Sequence, residues 1–306
     1  MRAEYAQLNK LAGRMLLLPN SVSSQGFWLV LLGAIFWGTT GTAQAFAPDS
    51  ANPLTVGAIR IAIGGSALLI AALLRGRFKL KKKMALGAVL LASCGMAFYQ
   101  PFFFTAVGMT GVAIGTIVTI GSAPIFAGLL ALLVLKERPA LHWYAATGLA
   151  IIGCILLIAP GGDDRVNTVG IILALCAGLS FSCYVLASKK LLAENPADIV
   201  LAVVFTVGAI FLAPLLFIYK PTWLLEPSGI LAALHLGLIA TALAYTLFTS
   251  GLALVPVATA VTIALAEPLT AAMLGIFLVG ERLSTLSLTG ALLVLFALII
   301  ISRKGK

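Results

Sequence analysis

Charge is scarce in this chain: Asp, Glu, Lys and Arg together make up 10% of its 306 residues, against about a quarter in a soluble domain. That excludes an ordinary water-facing globule. Catalytic signatures are also missing. There is no GxSxG, no Walker lysine loop and no HExxH, so no hydrolase, NTPase or metalloprotease site is written in the chain. An intramembrane enzyme would need a nucleophile–base set or a metal cluster, and neither is visible, so the chain is not read as an enzyme. Cysteine is limited to Cys94, Cys154, Cys176 and Cys183, all within apolar runs and without CxxC spacing. They read as small core hydrophobes rather than disulfides or zinc ligands. The two histidines, His142 and His235, lack a second ligand at metal spacing; no metal or cofactor is assigned.

What is present is hydrophobic length. Apolar residues make up 61% of the chain, and the mean hydropathy is +1.11. A membrane span needs about 20 mostly apolar residues. With Gly, Pro and charge clusters as boundaries, ten segments qualify: 26–47, 54–74, 84–107, 111–135, 141–159, 169–187, 198–219, 228–250, 257–279 and 285–302. Only helices suit these runs, because barrel strands would alternate polar and apolar residues. The fold class expected is therefore an all-α membrane protein of ten transmembrane helices.

An internal repeat organises them. GSAPIFAGLLALLVLKER, ending at Glu137-Arg138, returns as ALAEPLTAAMLGIFLVGER, ending at Glu281-Arg282; Pro124 and Pro268 lie 144 residues apart. Five spans per copy is an odd number, so the copies must be inverted relative to one another, with a substrate site where they meet. The expected organisation is a tail (1–25), a first repeat (26–160), a loop (161–168) and a second repeat (169–306). Such pseudo-symmetry favours alternating access over a channel, which would be expected to need a ring of like residues through oligomerisation; the chain is expected to act as a monomer.

The formal charge of +10 does not point to nucleic acid, because the cations cluster at span ends, where anionic lipid attracts them. One set of ends holds sixteen Lys and Arg: Arg2, Lys10, Arg14, six from Arg75 to Lys83, Lys136, Arg138, Lys189, Lys190, Arg303, Lys304 and Lys306. The other holds three, Arg165, Lys220 and Arg282. The positive-inside rule then puts both termini in the cytoplasm. A rival reading takes residues 27–36 as a signal-peptide core cleaved near Ala43-Gln44-Ala45. Against it, about 25 residues precede the apolar stretch, and span one has a counterpart in span six.

Several polar and aromatic residues fall inside the spans. Trp37, Thr40, Gly41 and Gln44 share one helical face, and the counterparts Phe181, Tyr184, Val185 and Ser188 do the same. Two such stripes from opposite halves suit one cavity; helix–helix packing is the competing reading. Glu267 is the only acid in the interior of a span, and its counterpart is Ala123. A carboxyl at that depth is costly when ionised and should be protonated or paired. It would serve as a substrate-ammonium contact or a proton-coupling group, or else bond quietly to Thr262 or Thr270. Arg60 lies about six residues inside the outer end of span two, roughly 9 Å deep, shallow enough to snorkel as an anchor or to meet helix-end carbonyls; a direct pair with Glu267 is not the default. Tyr99 and Gln100 precede Pro101, and Tyr245 sits among Thr241, Phe248 and Thr249. The substrate-binding set expected is Trp37, Tyr99, Gln100, Tyr184, Tyr245 and Glu267. Pro101, Pro124 and Pro268 are expected to kink their helices as hinges.

At Trp37-Gly38, Asn52-Pro53 followed by Arg60, Pro124…Glu137-Arg138 and Glu267-Pro268…Glu281-Arg282, the chain resembles the drug/metabolite transporter superfamily, in its ten-helix EamA-type members. The first block departs from the pattern, with Ala123 where an EP pair often stands. The resemblance covers residues 26–302 and is closest to bacterial inner-membrane exporters of aromatic amino acids and metabolites, which also carry cationic drugs. It implies small-molecule substrates (amino acids, organic cations) and a lipid bilayer as surroundings; exchange against protons at Glu267 and facilitated export without a titrating group both stay open. A narrow quaternary-cation effluxer and a metabolite importer stay open beside it; a sugar-phosphate carrier would want more than one Lys or Arg in the cavity.

Overall fold

The computed structural model describes residues 23–76, 84–110, 112–158, 167–274, 277 and 284–303. Among them there are helices and no strand. Spans two, three, five, six, seven and ten are single helices: Pro53–Leu74, Leu86–Thr110, Leu141–Ile158, Thr168–Leu192, Ala197–Tyr219 and Thr285–Arg303. Nine helices of the described residues are long and apolar enough to cross a membrane, and Leu141–Leu156 is a shorter tenth. The protein is a multi-pass, all-helical membrane protein.

The starts of the spans are set by local chemistry. Asn52 accepts a bond from Leu54 N at 2.9 Å, and Pro53 occupies the first turn, where a missing N–H costs nothing. Asn167 caps span six in the same way, through Gly170 N at 3.1 Å. Large apolar side chains such as Ile70, Leu133, Ile210 and Phe296 point outward. In water such a surface would aggregate; here it faces lipid.

Packing follows a pattern of exchange. Span three lies against six and span eight against one; four lies against six and nine against one; two meets seven and five meets ten. Replacing each span by its counterpart 144 residues away turns this set of pairs into itself. Glycines make the close crossings possible. A Cβ at Gly95 would lie 2.6 Å from Ser180 O, and one at Gly33 would lie 2.9 Å from Ala244 O.

Several helices differ from the sequence expectation. Span six does not end at 187 but continues to Leu192, because Lys189 is buried rather than solvated. Its Nζ donates to Leu252 O at 2.7 Å and Val255 O at 2.8 Å. Nearby, Glu137 Oε2 accepts from Val257 N at 3.2 Å. Burial raises the Glu137 carboxyl above its usual range, and the Lys189 ammonium and the Val257 N–H pull it back. Span one breaks at Thr39 between Ser24–Gly38 and Thr40–Ala45. Span nine breaks at Ala264-Leu265 between Val257–Ile263 and Ala266–Leu274. Span four, Val112–Leu130, runs into a π-helical turn Ala131–Leu135. Span eight is helical at Pro227–Leu234, widens to π geometry at His235–Leu243 and closes as Ala244–Leu252. Residues 1–22, the basic 77–83 stretch, most of the 161–168 loop and the Glu281-Arg282 pair lie outside the described residues.

Candidate functional site

The breaks in spans one and nine converge on one cavity. With its open mouth included the space measures about 570 Å³. Trp37 and Thr40 come from span one, Arg60 from span two, Tyr99 from three, Thr119 and Ala123 from four, and Phe181 from six. Tyr245 of span eight and Glu267 of span nine complete the wall. Both repeats contribute.

The aromatic wall is a connected cluster. Trp37 meets its own counterpart Phe181 edge-on, with centroids 5.9 Å apart, and packs on Tyr245 at 4.7 Å. Tyr99 contacts Phe181 at 5.9 Å. Behind them, Phe205 supports Tyr245 at 4.7 Å. Trp37 is only 5% exposed, and its indole Nε1 has no partner among the described residues. A buried donor without a partner is uncommon and costs free energy.

Glu267 lies in the first turn of the second half of span nine. Pro268 also falls in that first turn, where its missing N–H breaks no bond. Pro268 therefore does not kink a continuing helix, as expected from sequence; it opens a new one. The hydroxyls expected to satisfy Glu267 are spent elsewhere. Thr262 accepts from Trp143 Nε1 at 3.0 Å and donates to Ala258 O at 3.0 Å, and Thr270 donates to Ala266 O at 3.1 Å. Quiet bonding to these two residues is thus not what holds the carboxyl.

Of the two roles expected for Arg60, an outward anchor and a partner to helix-end carbonyls, the structure does not show the first and gives it one backbone carbonyl within span eight. Arg60 is 7% exposed, and its Nε donates to Thr241 Oγ1 at 3.2 Å and its Nη2 to Ala240 O at 3.4 Å. Both acceptors lie in the π-helical stretch of span eight, a geometry common at functional sites.

Of the residues expected to bind substrate, Trp37, Tyr99, Tyr245 and Glu267 share the cavity. Tyr184 and Gln100 do not line it. Tyr184 is fully buried behind Tyr245, its hydroxyl 3.3 Å from Thr249 Oγ1. Gln100 is buried against Gly57 of span two. Pro101 and Pro124 sit inside helices that continue through them. Arg60 and Thr119 were missed as wall residues. Thr119 carried a signal in hindsight: a hydroxyl one turn before Ala123, the counterpart of Glu267.

The EamA-like transporter family matches this chain twice, over residues 24–159 and 168–303. The chain belongs to the EamA-like transporter family. It is 50% identical to the uncharacterized transporter YwfM of Bacillus subtilis, over 89% of this chain and 92% of that protein. It is 27% identical to the threonine/homoserine exporter RhtA of Escherichia coli, covering 89% and 90% of the two chains. A probable terminal-alkyne amino-acid exporter of Streptantibioticus cattleyicolor is also 27% identical, over 92% and 94%. A solved crystal structure aligns with a TM-score of 0.80 over 91% of this chain and 96% of that one, at 18% identity; that likeness concerns the fold alone.

Proposed function

We propose that the chain is a bacterial inner-membrane secondary transporter that exports amino acids and related metabolites by alternating access. One observation carries this reading: a single cavity walled by both repeats, in which span nine breaks to present Glu267 at the start of a half-helix. Half-helix ends at the meeting point of repeats are how secondary transporters hold charged substrates. Two relatives named as amino-acid exporters support the substrate class. The aromatic wall offers faces to aromatic side chains and to ammonium groups alike, so aromatic amino acids belong at the head of the list. The charge asymmetry supports cytoplasmic termini, and Glu267 is assigned as the ammonium or proton-coupling group.

Counterflow in proteoliposomes tests the reading, with a panel of aromatic amino acids, threonine, homoserine and quaternary cations. Exchange of the amino acids supports it. Exchange of quaternary cations alone replaces it with a cation effluxer, a reading that Glu267 and the aromatic wall also favour.

A further inference from the structure

We infer that Arg60 is the residue that reads the substrate's carboxylate, so that the cavity selects zwitterionic α-amino acids over amines of the same shape. The inference rests on the transporter reading above and names which end of the substrate goes where.

A guanidinium carries five N–H donors in a planar fork and stays charged at any pH of interest. Arg60 spends two of them on span eight, one on Thr241 Oγ1 and one on Ala240 O. Three remain without a protein partner among the described residues. These two bonds also fix the fork. Span two can come this close to span eight because residue 64 is glycine; a Cβ there would overlap the Thr241 side chain. Arg60 is thus oriented from one side and unsatisfied on the other, where the cavity lies.

A buried cation without its counter-charge is costly, and the natural complement of a fixed guanidinium fork is a carboxylate bound through two parallel hydrogen bonds. Among the described residues one acid lines this cavity, Glu267 on span nine, and no hydrogen bond joins it to Arg60. A cation and an acid facing one cavity without closing on each other present two charged poles to a ligand. A zwitterion spans them, its carboxylate on Arg60 and its ammonium on Glu267. The side chain then falls on the faces of Trp37, Tyr99, Phe181 and Tyr245. A site built around such donors rejects an analogue that lacks the acceptor, because its own buried charge is then left unpaired.

The test compares each amino acid with its methyl ester, which keeps shape and ammonium but loses the negative charge. Phenylalanine and threonine are the probes, each measured as a competitor of counterflow and by direct binding to the purified transporter. Wild type should favour the acid over the ester by about ten- to a hundredfold, the size of one charge-assisted contact. Arg60→Gln should bring that ratio close to one while ester binding persists, which also shows that the variant is folded. Arg60→Lys, which keeps the charge but not the fork, should fall between. Equal affinity of wild type for acid and ester, with amino-acid exchange intact, overturns the role of Arg60 and leaves the transporter reading standing. Absence of exchange for either amino acid, with amines still carried, overturns the amino-acid reading itself. Because the wild-type ratio needs no variant, a poorly folding Arg60→Gln does not rescue the idea.

Discussion

Spans four and nine are written alike, yet they are built differently. Each carries a proline at the same repeat position, Pro124 and Pro268. Span four runs helically through its proline; span nine is interrupted at Ala264-Leu265, just before it. Surroundings explain the difference. In span nine 67% of the apolar window is buried inside the protein, against 39% in span four. A broken backbone leaves polar groups that lipid cannot satisfy, so a break is tolerated only in the better-enclosed span. There the interruption is held in place. Glu267 N donates back to Ala264 O at 3.0 Å, the carbonyl that Pro268 frees, and Thr262 is tied to Trp143 and Thr147 of span five. The counterpart of Thr262 is Val118, and that of Glu267 is Ala123. The lesson is that a repeated scaffold acquires a one-sided acid and a one-sided break by making its copies unequal.

The contrast predicts the largest effect at Glu267. Glu267→Gln keeps the shape, makes span nine chemically closer to span four, and should cut transport by about ten- to a hundredfold, the size of a lost charged contact. Proteoliposome uptake measured with and without a proton gradient separates the roles: loss of accumulation with exchange retained marks coupling, and loss of both marks substrate contact. Unchanged transport would mean that the asymmetry is structural only.

Lys189→Met comes next, acting where the end of span four meets the start of span nine. It leaves Glu137 and the Leu252 and Val255 carbonyls without their cation. Breaking a buried charged contact costs about 3 kcal/mol, to be read as a lower midpoint of thermal unfolding in detergent. Thr262→Val converts span nine to the residue of span four and removes the partner of Trp143 Nε1. A loss of about 1–2 kcal/mol in the same assay is expected, together with a fall in transport if the interruption is relaxed. The smallest effect should come from Pro124→Ala. It restores an N–H to an already continuous helix, so stability should change by less than about 1 kcal/mol. A large loss of transport there would show that span four flexes as span nine does.

Much of the architecture was legible in the amino acids because the bilayer imposes a length on every span, and that length is visible as an apolar run. The aromatic residues Trp37, Tyr99 and Tyr245 were legible as wall candidates because they accompany polar groups on faces that should be apolar. Arg60 was not. Counting residues from a span end gives a depth, but whether an arginine snorkels outward or turns inward depends on the neighbour it meets, here Thr241. The π geometry of span eight left no mark in hydropathy, since one extra residue in a turn does not change the composition. Tyr184 and Phe181 lie on one face three residues apart, yet the wall is narrower than the stripe, and only Phe181 reaches it.

The chain by itself determined that this protein is helical, spans a membrane and repeats itself, because hydrophobic length and the 144-residue offset are properties of the sequence alone. Tertiary structure decided which of two matching prolines starts a new helix. It also decided which of the polar side chains inside the spans face the cavity. Those outcomes depend on which groups lie within about 3 Å of one another, since a buried charge or an open carbonyl takes whatever partner the packing brings.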